Sequence, residues 1–261
     1  MKIVCIWKNF VTLLFLVVNI CAAKAQEDSV VTVMTHHEDI NLTDVGVVAL
    51  PTMGPFMIAE NKLMSLDFDN SISNIYFGDL YPIDDVIWSE DKFVLKSLNA
   101  LYDSNDLDKP AMVFYDETFS IYPYDKNNVY INIYHNDSSF IFIGNLNFGK
   151  IKRMVTIPEY VVYIYKADKS SIIVTESSIY MFEEDTCSRL MNFGMPIRDA
   201  VMTSKGLLFA TSDQLFILTG VYQYDVLAEG KFCKLLYDWK YVYLITADGD
   251  LLRLNIDMFD F

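Results

Sequence analysis

Residues whose types and spacing could support chemistry are few in this chain, and they are scattered. The densest set of candidate metal ligands is His36-His37-Glu38-Asp39. Successive side chains of an extended strand point to opposite faces, so His36 and His37 do not readily chelate one ion. A zinc or other transition-metal site would need further ligands from elsewhere, and the run reads better as an exposed polar connection. Asp67-Phe68-Asp69-Asn70 and Asp103–Asp108 place oxygen donors at alternating positions, as calcium loops do. Neither continues to the glycine at the sixth position and the glutamate at the twelfth, so both read as solvated turns. No metal is assigned.

Carboxylate pairs are the usual equipment for acid–base catalysis. Asp84-Asp85 is one such pair, and Asp199 occupies the place of Asp85 in a later copy of the same pattern. Recurrence in only two copies reads as structural. There is no Gly-x-Ser-x-Gly elbow and no glycine-rich phosphate loop. His135 is the only histidine besides His36 and His37, which leaves little for a Ser–His or Cys–His device. The four arginines, Arg153, Arg189, Arg198 and Arg253, are too dispersed to clamp a carboxylate sugar. Trp88, Trp239, Tyr222 and Tyr224 could stack on sugars, although most such rings are expected to fill space between sheets. No catalytic or cofactor-binding residue is assigned, and no cofactor is expected.

Composition sets the class of partner. Lys2 and Lys8 precede the apolar run Phe10–Val18, and Ala23-Lys24-Ala25 offers a small-x-small cleavage site before Gln26. This is the three-part pattern of a secretory signal peptide over residues 1–25, of bacterial type. The apolar run is short for a membrane span. An uncleaved anchor and lipidation of Cys21 are the alternatives, the second weakened by the bulky Ile20 beside it. The expected location is periplasmic, cell-surface or extracellular, with no membrane span after signal removal. Losing residues 1–25 takes away Lys2, Lys8 and Lys24 and no acid, which moves the net charge from −15 to −18. A chain that acidic repels nucleic acid, whose binding depends on clustered Lys and Arg. Outside the signal segment only Cys187 and Cys233 remain. In an oxidising compartment they could pair; two unpaired thiols are the alternative, because sequence does not show bridging distance.

The elements that must position all of these residues repeat. Met195–Leu218 reads as three short strands, Ile197–Val201, Leu207–Thr211 and Leu215–Leu218, and Pro82–Tyr102 answers it without a gap, 114 positions earlier. Polar turn markers fall near 61, 99, 138, 177, 213 and 248, spaced by 35–39 residues. Asn, Asp, Ser and Gly suit that column because a hairpin must reverse there, which also argues against Asp213 as a catalytic acid. Each marker is flanked by runs rich in Val, Ile, Tyr, Phe and Thr, which fit a pleated surface. A strand precedes each hairpin, and one usually follows it. Gly149–Val155 resembles the leading strand at Gly230–Leu236, but reading it as a trailing strand keeps four strands per unit. The last unit runs out of chain after Leu254, while Val30–Met34 belongs to no unit.

Six four-stranded units of about 38 residues resemble the blades of a β-propeller. The resemblance spans Val30 to Leu254 and is to an architecture, without the signature motifs of a WD, kelch or Asp-box family. It implies an all-β six-bladed ring over residues 26–261 as one domain, closed by the N-terminal strand pairing into the last blade. An open β-solenoid of the same period is the alternative. The function expected first is an exported, non-catalytic binding or scaffolding module for a protein or glycan. A carbohydrate-active enzyme and a structural subunit of an envelope assembly are the alternatives. The sequence does not fix the oligomeric state.

Overall fold

The computed structural model describes residues 30–32, 41–66, 74–78, 82–115, 118–220 and 223–258. Residues 1–25, His36-His37-Glu38-Asp39, Asp67–Asn70 and Tyr222 lie outside these. The innermost strand of each sheet is given first below. Blade 1 holds β2 (Val47–Leu50), β3 (Gly54–Ala59), β4 (Lys62–Ser65) and β5 (Asn74–Tyr76). Blade 2 holds β6 (Asp85–Ser89), β7 (Lys92–Ser97), β8 (Ala100–Asp103) and β9 (Met112–Val113). Blade 3 holds β10 (Phe119–Asp125), β11 (Asn128–His135), β12 (Ser138–Asn145) and β13 (Lys150–Ile157). Blade 4 holds β14 (Val161–Lys166), β15 (Ser170–Thr175), β16 (Ser178–Glu183) and β17 (Thr186–Asn192). Blade 5 holds β18 (Asp199–Thr203), β19 (Gly206–Ala210), β20 (Gln214–Gly220) and β21 (Gln223–Glu229). Blade 6 holds β22 (Phe232–Tyr237), β23 (Val242–Thr246) and β24 (Leu251–Leu254), with β1 (Val30–Thr32) as its outermost strand. The only helix among the described residues is the 3₁₀ turn Ile256–Met258.

The first strands of neighbouring blades touch one another all the way round, including β22 against β2, so they wall an axial channel. This is a six-bladed β-propeller. Its last blade takes its fourth strand from the other end of the chain: Val30 pairs opposite Leu254 and Thr32 opposite Leu252. The apolar interior is divided in the same way. Six buried clusters each join two adjacent blades, among them Val48, Phe56 and Leu63 against Val86 and Leu95. Val47 and Met57 against Tyr243 and Ile245 join the last blade to the first. A single sheet cannot bury both of its faces alone, which is why the strands read as near-continuous apolar runs.

The polar markers are the hairpins between second and third strands. Asn136 and Asp137 both adopt positive φ (49° and 56°), as a two-residue hairpin of this kind demands. In other blades Glu60 and Leu98 take the positive-φ place, the first held by the Ile83 amide and the second by the Asp84 carboxylate. The marker carbonyls of Asn61, Asn99 and Ser177 accept from Phe77, Phe114 and Phe193 N–H at 2.8–3.0 Å, where each fourth strand ends. The Glu60 and Glu176 carbonyls accept from Ile83 and Ile197 N–H at 2.7 Å, where the next blade begins. The column therefore turns a hairpin and also ties down the crossover to the next blade. β13 pairs with β12 as a fourth strand, which resolves the register of Gly149–Val155.

The inner strands of blades 2 and 5 begin two residues later than their apolar pattern predicts. Asp84 and Asp85 both face Lys96, and Arg198 and Asp199 both face Ala210, so each strand starts with an extra residue. The register shifts at the matching place between Val161 and Tyr163 and between Phe232 and Lys234. Such bulges re-aim the side chains beside them. Cys187 lies in the outermost strand of blade 4 and Cys233 in the innermost strand of blade 6, with blade 5 between them. Both are free thiols here.

Candidate functional site: the axial cavity

The bulges bring Asp85, Tyr163, Asp199 and Lys234 to the wall of one cavity of about 850 Å³ along the ring axis. Tyr122 of β10 joins them, and blade 1 contributes the apolar Val47, Val48 and Ala49. The lining continues along each inner strand into the first-to-second-strand turns, at Glu90, Asp125, Lys166, Ser204 and Trp239. None of the marker turns contributes. The cavity therefore has a polar belt where the inner strands begin and an aromatic mouth where they end. Three residues further along β6, about 10 Å away at strand rise, Trp88 lines the wall. Tyr124, Tyr165 and Tyr237 accompany it.

The belt stitches blade to blade. Tyr122 donates to the Val162 carbonyl at 3.4 Å, and Leu235 N–H donates to Asp199 Oδ2 at 2.8 Å. Asp199 Oδ1 also accepts from Ala200 N–H at 2.9 Å, and Asp85 Oδ1 accepts from Val86 N–H at 2.9 Å. Burial pushes the Asp199 carboxyl up to about 6, against the pull of the Leu235 amide and the Lys234 ammonium. Burial raises Asp85 as well, and Lys234 is the strongest influence opposing it. One lysine thus acts on two carboxylates that come from diametrically opposed blades. Burial also pushes Tyr163 up to about 12 and raises Tyr122 further, so both phenols stay protonated. The belt offers a carboxyl that keeps its proton up to about pH 6, two neutral hydroxyls and one cation along the channel.

The mouth is held by a turn with its own buried support. Asp238 is 4% exposed; its Oδ1 accepts from Lys240 N–H at 2.9 Å and Tyr241 N–H at 2.6 Å, and its Oδ2 accepts from Tyr243 OH at 3.0 Å. Its carbonyl accepts from Thr52 N–H at 2.8 Å, across the interface between blades 6 and 1. Between these anchors Trp239 is 63% exposed with φ of 77°. Tyr237 OH donates to its carbonyl at 2.9 Å.

The remaining sequence candidates have structural partners. Asp84 Oδ2 accepts from Leu98 N–H at 2.7 Å and braces a marker turn. Asp103 pairs with the buried Lys92, and Asp106 with Lys109 at 3.3 Å, so the Asp103–Asp108 run is occupied by lysines. Among the described residues no three His, Cys, Asp or Glu side chains cluster as a metal site would require. Trp88 packs edge-on against Phe93, and Tyr224 against Phe193, Phe209 and Phe216, as space-filling rings do. Trp239 departs from that pattern. The sequence pointed to this site only through the Asp85–Asp199 correspondence and through Trp88 and Trp239 as possible stacking rings, because bulges and positive φ are properties of the backbone.

No protein-family model matches the chain, and no curated protein matches it. Many solved structures share its fold. Regucalcin from Agrobacterium tumefaciens, a calcium-binding protein, is 11% identical with a TM-score of 0.56, covering 80% of this chain and 88% of that one. A catalytically inactive virginiamycin B lyase from Staphylococcus aureus, solved with quinupristin, is 12% identical with a TM-score of 0.55, covering 80% of each chain. The CNH domain of AfRom2 is 8% identical with a TM-score of 0.52, covering 88% of this chain and all of that one. At these identities the likeness is of fold alone.

Proposed function

We propose that this chain is an exported, non-catalytic binding module that takes a glycan or a narrow protein segment into its axial cavity. The observation that carries the reading is the cavity of about 850 Å³, closed round by inner strands and opening through aromatic rings at the turn-bearing face. That volume and that mixture of apolar wall with a few polar groups are typical of ligand sites. A non-catalytic role is supported by Asp199, both of whose oxygens accept backbone N–H groups from two adjacent blades. Export rests on the N-terminal pattern over residues 1–25. Filling the cavity tests the reading: Ala49→Phe, made in its wall, abolishes ligand-induced stabilisation across a panel of glycans and peptides while leaving the fold intact. Equal stabilisation of the variant and the native chain would place the ligand elsewhere.

A second reading is favoured by one specific observation, the Asp199 carboxyl held at about 6. A carboxylic acid with that value in a cavity could protonate a glycosidic oxygen, with Asp85 as the second carboxyl of the pair. Turnover of a polysaccharide that disappears in Asp199→Asn would replace binding with catalysis.

A further inference from the structure

We infer that Trp239 is a stacking platform for the pyranose ring of a neutral glycan at the mouth of the axial cavity. This rests on the cavity reading above and names the class of ligand. A bulky side chain at φ of 77° lies in the region that L residues avoid, and it persists only where the surroundings impose it. Here they do: the Asp238 carboxylate, the Asp238 carbonyl and the Tyr237 hydroxyl fix the turn on both sides of Trp239. Glycine would hold this backbone without strain. The chain instead places its largest apolar side chain there, 63% exposed, at a residue that lines the cavity. An indole face packs well against the axial C–H groups of a sugar, while the equatorial hydroxyls remain free for polar partners.

The charges around the mouth decide against an ionic ligand. Lys166, which lies over the Tyr124 ring at 5.3 Å, lines the wall together with Glu90 and Asp125, and Lys240 follows Trp239 in the same turn. Both signs are present and neither predominates. A neutral, hydroxyl-rich ligand suits a mouth of aromatic faces, Ser204 and Tyr237 better than a cation, an anion or an aliphatic chain.

The test is calorimetric titration of the full chain with neutral oligosaccharides of glucose, galactose, mannose and N-acetylglucosamine, and with Tyr- and Trp-containing peptides. At least one oligosaccharide binds the native chain. Trp239→Gly weakens it at least tenfold, and Trp239→Phe retains it within about threefold. Trp239→Gly keeps or raises the thermal midpoint, so loss of binding is not loss of fold. An oligosaccharide that binds Trp239→Gly as tightly as the native chain would overturn the platform while leaving the cavity reading standing. Binding of the peptides alone would overturn the glycan assignment. If neither set binds the native chain, the cavity reading falls with it.

Discussion

Single residues in this protein are placed against their ordinary preferences in a few positions, and each has a measurable consequence. Lys92 has a side chain only 4% exposed, and its ammonium is met by Asp103. Removing the acid strands a buried charge, so Asp103→Ala is expected to cost about 3 kcal/mol in urea unfolding, far more than an exposed pair such as Lys109–Asp106 would. Asp199 makes stability depend on pH. Its folded value of about 6 lies above the ordinary 3.8, so the fold holds a proton that the unfolded chain releases. Stability is therefore fully present below about pH 4 and falls by up to about 3 kcal/mol as pH rises to about 6. Urea midpoints measured across that window should slope downward in the native chain and less steeply in Asp199→Asn, where the raised Asp85 remains. Glu159 has the opposite sign. Burial opposes its charge, but Thr175, Tyr180, Ser177 and Ser178 all donate hydroxyls to it and together hold it below the usual range. Its contribution is lost on acidification, and Glu159→Gln should shift acid unfolding to higher pH only if those hydroxyls are what stabilise the charge.

At the scale of elements, the sequence was most legible where a physical rule acts on every copy. Hairpins must reverse, so Asn61, Asn99, Asn136, Ser177, Asp213 and Asp248 could be aligned without a structure, and each falls between a second and a third strand. The strand starts were harder to read. Asp84-Asp85 looks like a polar interruption of an apolar run, whereas the bulge makes one of the two a brace for Leu98 and sends the other into the channel. The four bulged inner strands place Asp, Tyr, Asp and Lys at one level, and nothing in the residue types announces a common role. The same holds for Trp239: the sequence offers a tryptophan, while its exposure depends on the buried Asp238 beneath it. Close packing of neighbouring blades makes a further prediction. A methyl group at Gly144 would lie 2.6 Å from Ile131 Cδ1 and 2.9 Å from Met112 Cε. Gly144→Ala should therefore destabilise by about 1–3 kcal/mol, read as a lower urea midpoint, with no effect on ligand affinity.

The whole molecule is a ring whose two faces have different tasks. One face carries the marker hairpins and the crossovers and is braced by backbone contacts and carboxylates. The other carries the first-to-second-strand turns and opens into the cavity. The ring has no single core, so its integrity depends on closure between the last blade and the first. A chain starting at Asn41 lacks β1 and leaves β24 as an open edge. It should melt at lower temperature and self-associate in light scattering, because unpaired edges recruit strands. Hydrogen–deuterium exchange of the full chain, with and without a saturating oligosaccharide from the binding panel, tests the central claim most directly. Slowed exchange is predicted in peptides covering residues 86–91, 122–127, 163–168, 200–205 and 236–241, five of the stretches that line the mouth. Protection confined to the outer strands β13, β17 and β21, with the mouth unchanged, would contradict it.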